Sequence, residues 1–287
     1  MAKTIVSCDT TIALSKQQIE ELGLYVIPLN TIVDGVEYHD TVNINAETLA
    51  KYMRNGAKIT TSTPTPTEIY DHFDKIIAKE NPDYIIHFTI SSKLSSMFDL
   101  FTNLCAEKYG DKVIVVDSLS ICKWMLNQVL YARRLVEQGM EPHQVVEQVK
   151  KDLVGTEDAA FVPSSLEYLK RGGRISATAA SIGNLIGIVP VLSFKDGVVE
   201  KRAITRTMRK AFITAIEEWK EKIPNLEKDY VMLILETDHN EKEKKEQAKE
   251  LVKEMLPNID IEESFMSLNV TAHAGPGTVG LGILKKI

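Results

Sequence analysis

Short runs of apolar and β-branched residues recur along this chain, each separated from the next by an amphipathic stretch of helical length. Residues 84–90 read Tyr-Ile-Ile-His-Phe-Thr-Ile, residues 112–117 Lys-Val-Ile-Val-Val-Asp, and residues 230–236 Tyr-Val-Met-Leu-Ile-Leu-Glu. Runs this short and this evenly apolar predict strands buried on both faces. Helices between them favour parallel βαβ units over a sandwich. The predicted fold class is α/β.

The 287 residues allow one large domain or two ordinary ones. The alternation restarts after Thr156-Glu157-Asp158, which predicts an N-terminal α/β domain over 1–157 and a C-terminal α/β domain over 158–287. Ser15 predicts a helix N-cap, with Gly23 as the stop seven residues after Lys16. Asp34-Gly35 predicts a hairpin between residues 25–33 and 36–38, and Asn45 caps a helix ending at Gly56. Residues 58–67, with Pro64 and Pro66, read as a loop. In the second half, helices are expected at 164–170, 176–186, 206–222 and 241–255, and strands at 159–162, 189–192, 198–202, 230–236, 259–265 and 267–273.

Composition narrows function by exclusion. The formal charge is −6, with no global basic field, which argues against nucleic acid as a partner. The three cysteines, Cys8, Cys105 and Cys122, are widely spaced and contain no C-x-x-C. They fit a reducing compartment and predict neither a disulfide framework nor a zinc site. No leader-like apolar segment opens the sequence and no window approaches the ~20 apolar residues of a bilayer span. The expectation is a cytoplasmic protein, not inserted in a membrane, that handles a small molecule.

Four segments carry more chemistry than a plain scaffold needs. Thr60-Thr61-Ser62-Thr63 offers four consecutive hydroxyls, which suit a small anion or a side-chain-stabilised turn. Ser91-Ser92-Lys93-Leu94-Ser95-Ser96 lies between a buried strand and a helix, where α/β sheets receive ligands and where a serine can equally serve as a cap. Leu169-Lys170-Arg171-Gly172-Gly173-Arg174-Ile175 sets two arginines around a glycine pair that permits close backbone approach. His273-Ala274-Gly275-Pro276-Gly277 puts a histidine beside a glycine-rich turn. His39, His72, His87, His143 and His239 are scattered without metal spacing. No Walker loop, nucleophile elbow or H-E-x-x-H helix is present.

Taken together and in this order, these segments resemble the DegV family of fatty-acid-binding proteins, over essentially the whole chain. The resemblance extends to Val6-Ser7-Cys8-Asp9-Thr10, Val26-Ile27-Pro28-Leu29, the Asp34-Gly35…Tyr38-His39-Asp40 hairpin and, loosely, Val116-Asp117-Ser118. It implies two α/β domains with one long-chain fatty acid in a tunnel between them. It further implies similarity to the binding subunit of a bacterial fatty-acid kinase, whose separate kinase subunit phosphorylates the bound carboxylate for phospholipid synthesis. On that reading there is no catalytic residue and no metal or other cofactor. The headgroup residues are Thr61, Ser62, Ser95, His273 and Arg171, with Arg174 as the alternative arginine. The family's Leu-Ser-Gly-Thr-Tyr reads here as Leu94-Ser95-Ser96-Met97-Phe98, a departure at the expected headgroup. Ile182, Leu185, Ile186, Ile188 and Val191 are candidates for the tunnel wall and equally for ordinary core. Two other roles stay open: a lipid-responsive regulator without a kinase partner, and a serine hydrolase using Ser95 with His273.

Overall fold

The computed structural model describes residues 2–174, 188–238 and 240–287. The chain divides into two compact units. Unit 1 comprises residues 1–45, 57–154 and 267–269, and unit 2 comprises 46–56, 155–266 and 270–287. The division is therefore not one cut near residue 157: residues 46–56 join unit 2, and a three-residue stretch near the C-terminus joins unit 1.

Unit 1 is built on a parallel sheet. Its strands are β1 (Thr4–Asp9), β2 (Tyr25–Ile27), β6 (Tyr84–Thr89) and β7 (Val113–Asp117), in the order β2-β1-β6-β7. A second, antiparallel sheet has the order β4-β3-β5, from β3 (Asn30–Val33), β4 (Val36–His39) and β5 (Ile59–Ser62). The expected strand at 25–33 is thus two strands parted by Pro28, which cannot donate to a ladder. Its helices are α1 (Lys16–Leu22), α3 (Pro66–Glu80), α4 (Met97–Tyr109), α5 (Cys122–Glu137) and α6 (Pro142–Leu153); α2 (Ala46–Arg54) belongs to unit 2. α1 starts at Ser15, whose capping box with Gln18 is complete, and stops at Gly23 in the left-handed conformation. Val6, Phe88, Val116, Met125 and Val129 form its core.

One expectation in this unit is corrected. Residues 59–62 are a strand, not a loop, with Thr31 opposite Thr61 and Asn30 opposite Ser62. Ile59, Thr60 and Thr61 are β-branched and alternate half-buried with exposed. The prolines that suggested a loop lie beyond the strand, where Pro66 opens α3 behind a Thr65–Glu68 capping box.

Unit 2 is built on a mixed six-stranded sheet of order β10-β9-β8-β13-β11-β12. The strands are β8 (Asp158–Val162), β9 (Val189–Lys195), β10 (Val198–Thr205), β11 (Tyr230–Glu236), β12 (Asp260–Phe265) and β13 (Val279–Lys285). Only β11 and β12 pair in parallel; the other neighbours are antiparallel. Its helices after α2 are α7 (Leu166–Gly172), α8 (Met208–Lys222), α9 (Leu226–Asp229), α10 (Lys242–Met255) and α11 (Leu268–Ala274), the last with its first two residues in unit 1. Trp219, Phe212, Ile234, Val252 and Val191 share its core.

The last segment corrects the sequence reading most. The expected strand at 267–273 is the helix α11, and a strand that was not expected, β13, lies between β8 and β11. Leu268 and Ala272, one turn apart, are both buried. Gly280 and Gly282 both sit in β13. A Cβ on Gly280 would lie 3.0 Å from the Ala160 carbonyl oxygen and 3.2 Å from Phe161 Cα. Glycine there marks close strand approach, not a chain reversal.

Candidate functional site

The two glycine-bearing segments of unit 2 interlock. α7 begins at Ser165, whose hydroxyl accepts from the Glu167 N–H, and ends at Gly172, with Gly173 left-handed at φ 67°. α11 runs into Gly275 at φ 84° and Gly277 at φ 80°, so both positions require glycine on backbone grounds alone. A Cβ on Gly172 would overlap His273 Nδ1 and lie 3.0 Å from its Cε1. A Cβ on Gly275 would overlap the Tyr168 ring. Each segment thus supplies the glycine that admits the other's ring.

The Gly275-Pro276-Gly277 turn is also held from outside. Ser164 Oγ donates to the Pro276 carbonyl, and the Gly277 N–H donates to Asp238 Oδ2 at 3.0 Å. Asp238 is buried and ion-pairs with Arg54 of α2. Burial by itself would raise the Asp238 carboxyl; the Asn240 N–H, Arg54 and the Gly277 N–H outweigh it and hold the group below its ordinary range. No motif pointed to Asp238, because Arg54 and Gly277, the partners that tie it to the glycine turn, lie far away in sequence.

Three of the candidate residues lie on these two segments. Arg171 is exposed, with its guanidinium carbon 5.7 Å from the Tyr168 ring centroid. Arg174 is exposed and donates to the Gly172 carbonyl. His273 is half-buried, on a helix end where a strand end was expected. Burial, reinforced by the Arg174 charge, lowers its pKa to about 4. At neutral pH it is therefore an uncharged imidazole with one donor and one acceptor nitrogen. A cation acting on a neutral donor, with a second arginine on the same short segment, suits a carboxylate or a phosphate.

The hydroxyl candidates lie in unit 1. Thr61 is half-buried and Ser62 exposed, consecutive on β5. Ser95 is half-buried in the turn between β6 and α4, and its hydroxyl accepts from the Met97 N–H at 3.3 Å. Met97, at the position of the family's threonine, is buried as the first residue of α4, while Ser96 is exposed and its side chain makes no cap bond. Of the wall candidates, Val191 is core and Ile188 half-buried, whereas Ile182, Leu185 and Ile186, the helix expected at 176–186 and His239 lie outside the described residues.

Sequence reasoning missed a buried acidic cluster in unit 1. Asp9 accepts from the N–H groups of Thr11 and Ile90 at 2.7 and 2.9 Å, yet burial raises it to about 6. Asp40 accepts from Thr31 Oγ1 at 2.7 Å and from the Asn269 N–H; burial, with Asp9 adding, raises it to about 7. Both residues fall in segments that carry the family resemblance, residues 6–10 and 38–40, but burial is not legible from those segments alone. A second buried polar group joins Ser7 to His87, with Oγ 2.6 Å from Nδ1, under Phe73 and Phe101. Burial, then neighbouring charge, depresses both His87 and His72, the latter to about 4. Among the described residues, no group of three or more His, Cys, Asp or Glu side chains could hold a metal ion.

A parallel sheet with helices, a mixed sheet with helices, and a cationic cluster around two interlocked glycine segments define a two-unit α/β protein with a site suited to an anion. The family profile described as "Uncharacterised protein, DegV family" matches residues 3–286, and the chain belongs to the DegV family. It is 30% identical over 288 residues to the DegV domain-containing protein SAR1438 of Staphylococcus aureus, covering 100% of both chains. It is similar to a fatty-acid-binding DegV family protein from Thermus thermophilus, with 28% identity, TM-score 0.81 and coverage of 99% and 100%. The DegV family protein SAG1342 from Streptococcus agalactiae shares the fold at TM-score 0.87 and 24% identity, with full coverage of both chains. Among the described residues no helix is long and apolar enough to cross a membrane.

Proposed function

We propose that this protein binds one long-chain fatty acid and presents its carboxylate to a separate kinase subunit. The observation that carries the reading is the Gly172–His273 interlock, which seats a neutral imidazole against the helix that carries Arg171 and within electrostatic reach of Arg174. The fatty-acid binding of the Thermus thermophilus relative supports the ligand class. A carboxylate is ionised at neutral pH and needs charge-assisted donors when desolvated. Arg171 or Arg174, His273, Thr61, Ser62 and Ser95 supply them. An acyl tail of ~15 methylenes contributes a gross ~12 kcal/mol at ~0.8 each, before ordering costs. The tail therefore dominates affinity and the polar groups fix orientation.

In the kinase step, a carboxylate oxygen attacks the γ-phosphorus of ATP and the bond to the ADP oxygen breaks, leaving an acyl phosphate. The protein itself supplies no nucleophile. Reconstitution with a bacterial fatty-acid kinase subunit, ATP and oleate tests the full reading. It predicts acyl phosphate that depends on this protein and falls at least tenfold in His273→Ala. Stoichiometric oleate binding without any acyl phosphate would leave the lipid-responsive regulator as the reading.

A further inference from the structure

Tyr168 has no part in the reading above, yet its ring occupies a prepared place. Gly275 is the seat: a Cβ there would overlap Cδ2 and lie 3.0 Å from Cε2 and 3.1 Å from Cγ. Arg171 follows three residues later on α7, so the two side chains share a helix face. The ring centroid is 5.7 Å from the guanidinium carbon, within cation–π range. Arg171 is exposed, and a long exposed arginine samples many rotamers unless a neighbour narrows them. Arg174 needs no such help, because it already donates to the Gly172 carbonyl. Of the two arginines, the one stacked on the ring keeps its forked N–H edge for an anion.

We propose that Tyr168 is a positioning residue for carboxylate recognition, holding Arg171 face-on so that its N–H edge receives the anion, and that Gly275 is glycine so that this ring can lie there. The inference rests on the reading that the cluster takes a fatty carboxylate. It also assigns the headgroup to Arg171 in preference to Arg174. Tyr168 acts through Arg171 and touches no ligand atom.

The test compares oleic acid with methyl oleate, which keeps the tail and removes the charge, in displacement of a fluorescent fatty acid. Tyr168→Phe keeps the ring face and retains wild-type affinity for both. Tyr168→Leu loses about two- to fivefold for oleic acid and nothing for methyl oleate. In the Arg171→Ala background, Tyr168→Leu causes no further loss, since its effect runs through the missing guanidinium. Equal losses for acid and ester, multiplicative losses in the double variant, or an unchanged Tyr168→Leu would each overturn the proposal. Tyr168→Met serves the same comparison if the leucine variant does not fold; failure of both to fold makes the ring a packing element and counts against it. Wild-type protein that binds neither ligand sinks the fatty-acid reading and this inference with it. Wild-type binding with an acid preference that Arg171→Ala abolishes and Tyr168→Leu leaves intact sinks the inference alone.

Discussion

Gly172 and His273 are in direct contact across two segments about a hundred residues apart in sequence, and the absence of a Cβ on Gly172 is what lets the imidazole lie against α7. Gly172 is the last residue of a helix and has no left-handed φ, so alanine there would ordinarily gain about 0.5–1 kcal/mol. Overlap with the imidazole reverses that sign, because overpacking costs about 1–3 kcal/mol. Gly172→Ala is therefore expected to lower stability in urea titration and to weaken oleate binding. Gly172→Ala/His273→Ala recovers the stability but not the binding. A stabilised single variant would show that the contact is soft.

The charge state of His273 follows from its surroundings. Burial first, and Arg174 second, place its titration near about 4. An NMR titration should find its ring protons flat above about pH 5.5. Arg174→Ala removes the second cause and moves the midpoint upward, while burial keeps it below the ordinary histidine value. A midpoint that does not move in Arg174→Ala would place that guanidinium away from the ring.

Asp40 gives unit 1 a specific pH dependence. Its carboxyl stays protonated in the folded protein up to about pH 7 but ionises near ~4 in the unfolded chain. The folded state thus holds more protons through that window, so this group's contribution to stability falls as pH rises through it. Asp9, raised to about 6, acts with the same sign, and the depressed His72 and His87 act with the opposite one. Asp40→Asn isolates the first effect, since an amide can still accept from Thr31. Relative to wild type, the variant is expected to gain about 2–3 kcal/mol between pH 5 and pH 8. A pH-independent difference would place the Asp40 titration outside that range.

Arg54 holds the glycine turn indirectly. Asp238 receives the Gly277 N–H and the Arg54 guanidinium on the same oxygen. Arg54→Ala leaves a buried carboxylate short of its counter-charge, and a loss of about 1–3 kcal/mol is expected in urea titration. Asp238→Asn in the same background should restore part of that loss. An additive double variant would mean that the pair is not coupled.

Local chemistry was legible wherever it decides structure locally. The N-cap at Ser15, the hairpin at Asp34-Gly35 and the apolar run of β6 are each fixed by neighbours within a few residues. The departures occur where a distant contact decides. Thr60 and Thr61 are a strand because β3 lies beside them. Gly280 is in a strand because Phe161 approaches it. Residues 267–273 form a helix that packs Leu268 and Ala272 inward, which alternation alone could not distinguish from a strand. The same holds for the candidate site. Its glycines, arginines and histidine stood out by type, but Tyr168 and Asp238 have ordinary neighbours in sequence and acquire a role only through Gly275 and Gly277.

The central claim is that the ligand is a long-chain fatty acid, and extraction of the natively purified protein tests it most directly. Mass spectrometry of the solvent extract, followed by reloading with oleate, should return about one fatty acid per chain of 287 residues, in the wild type and far less in Arg171→Ala/His273→Ala. An extract free of fatty acid, together with no stoichiometric uptake of added oleate or palmitate, would contradict it.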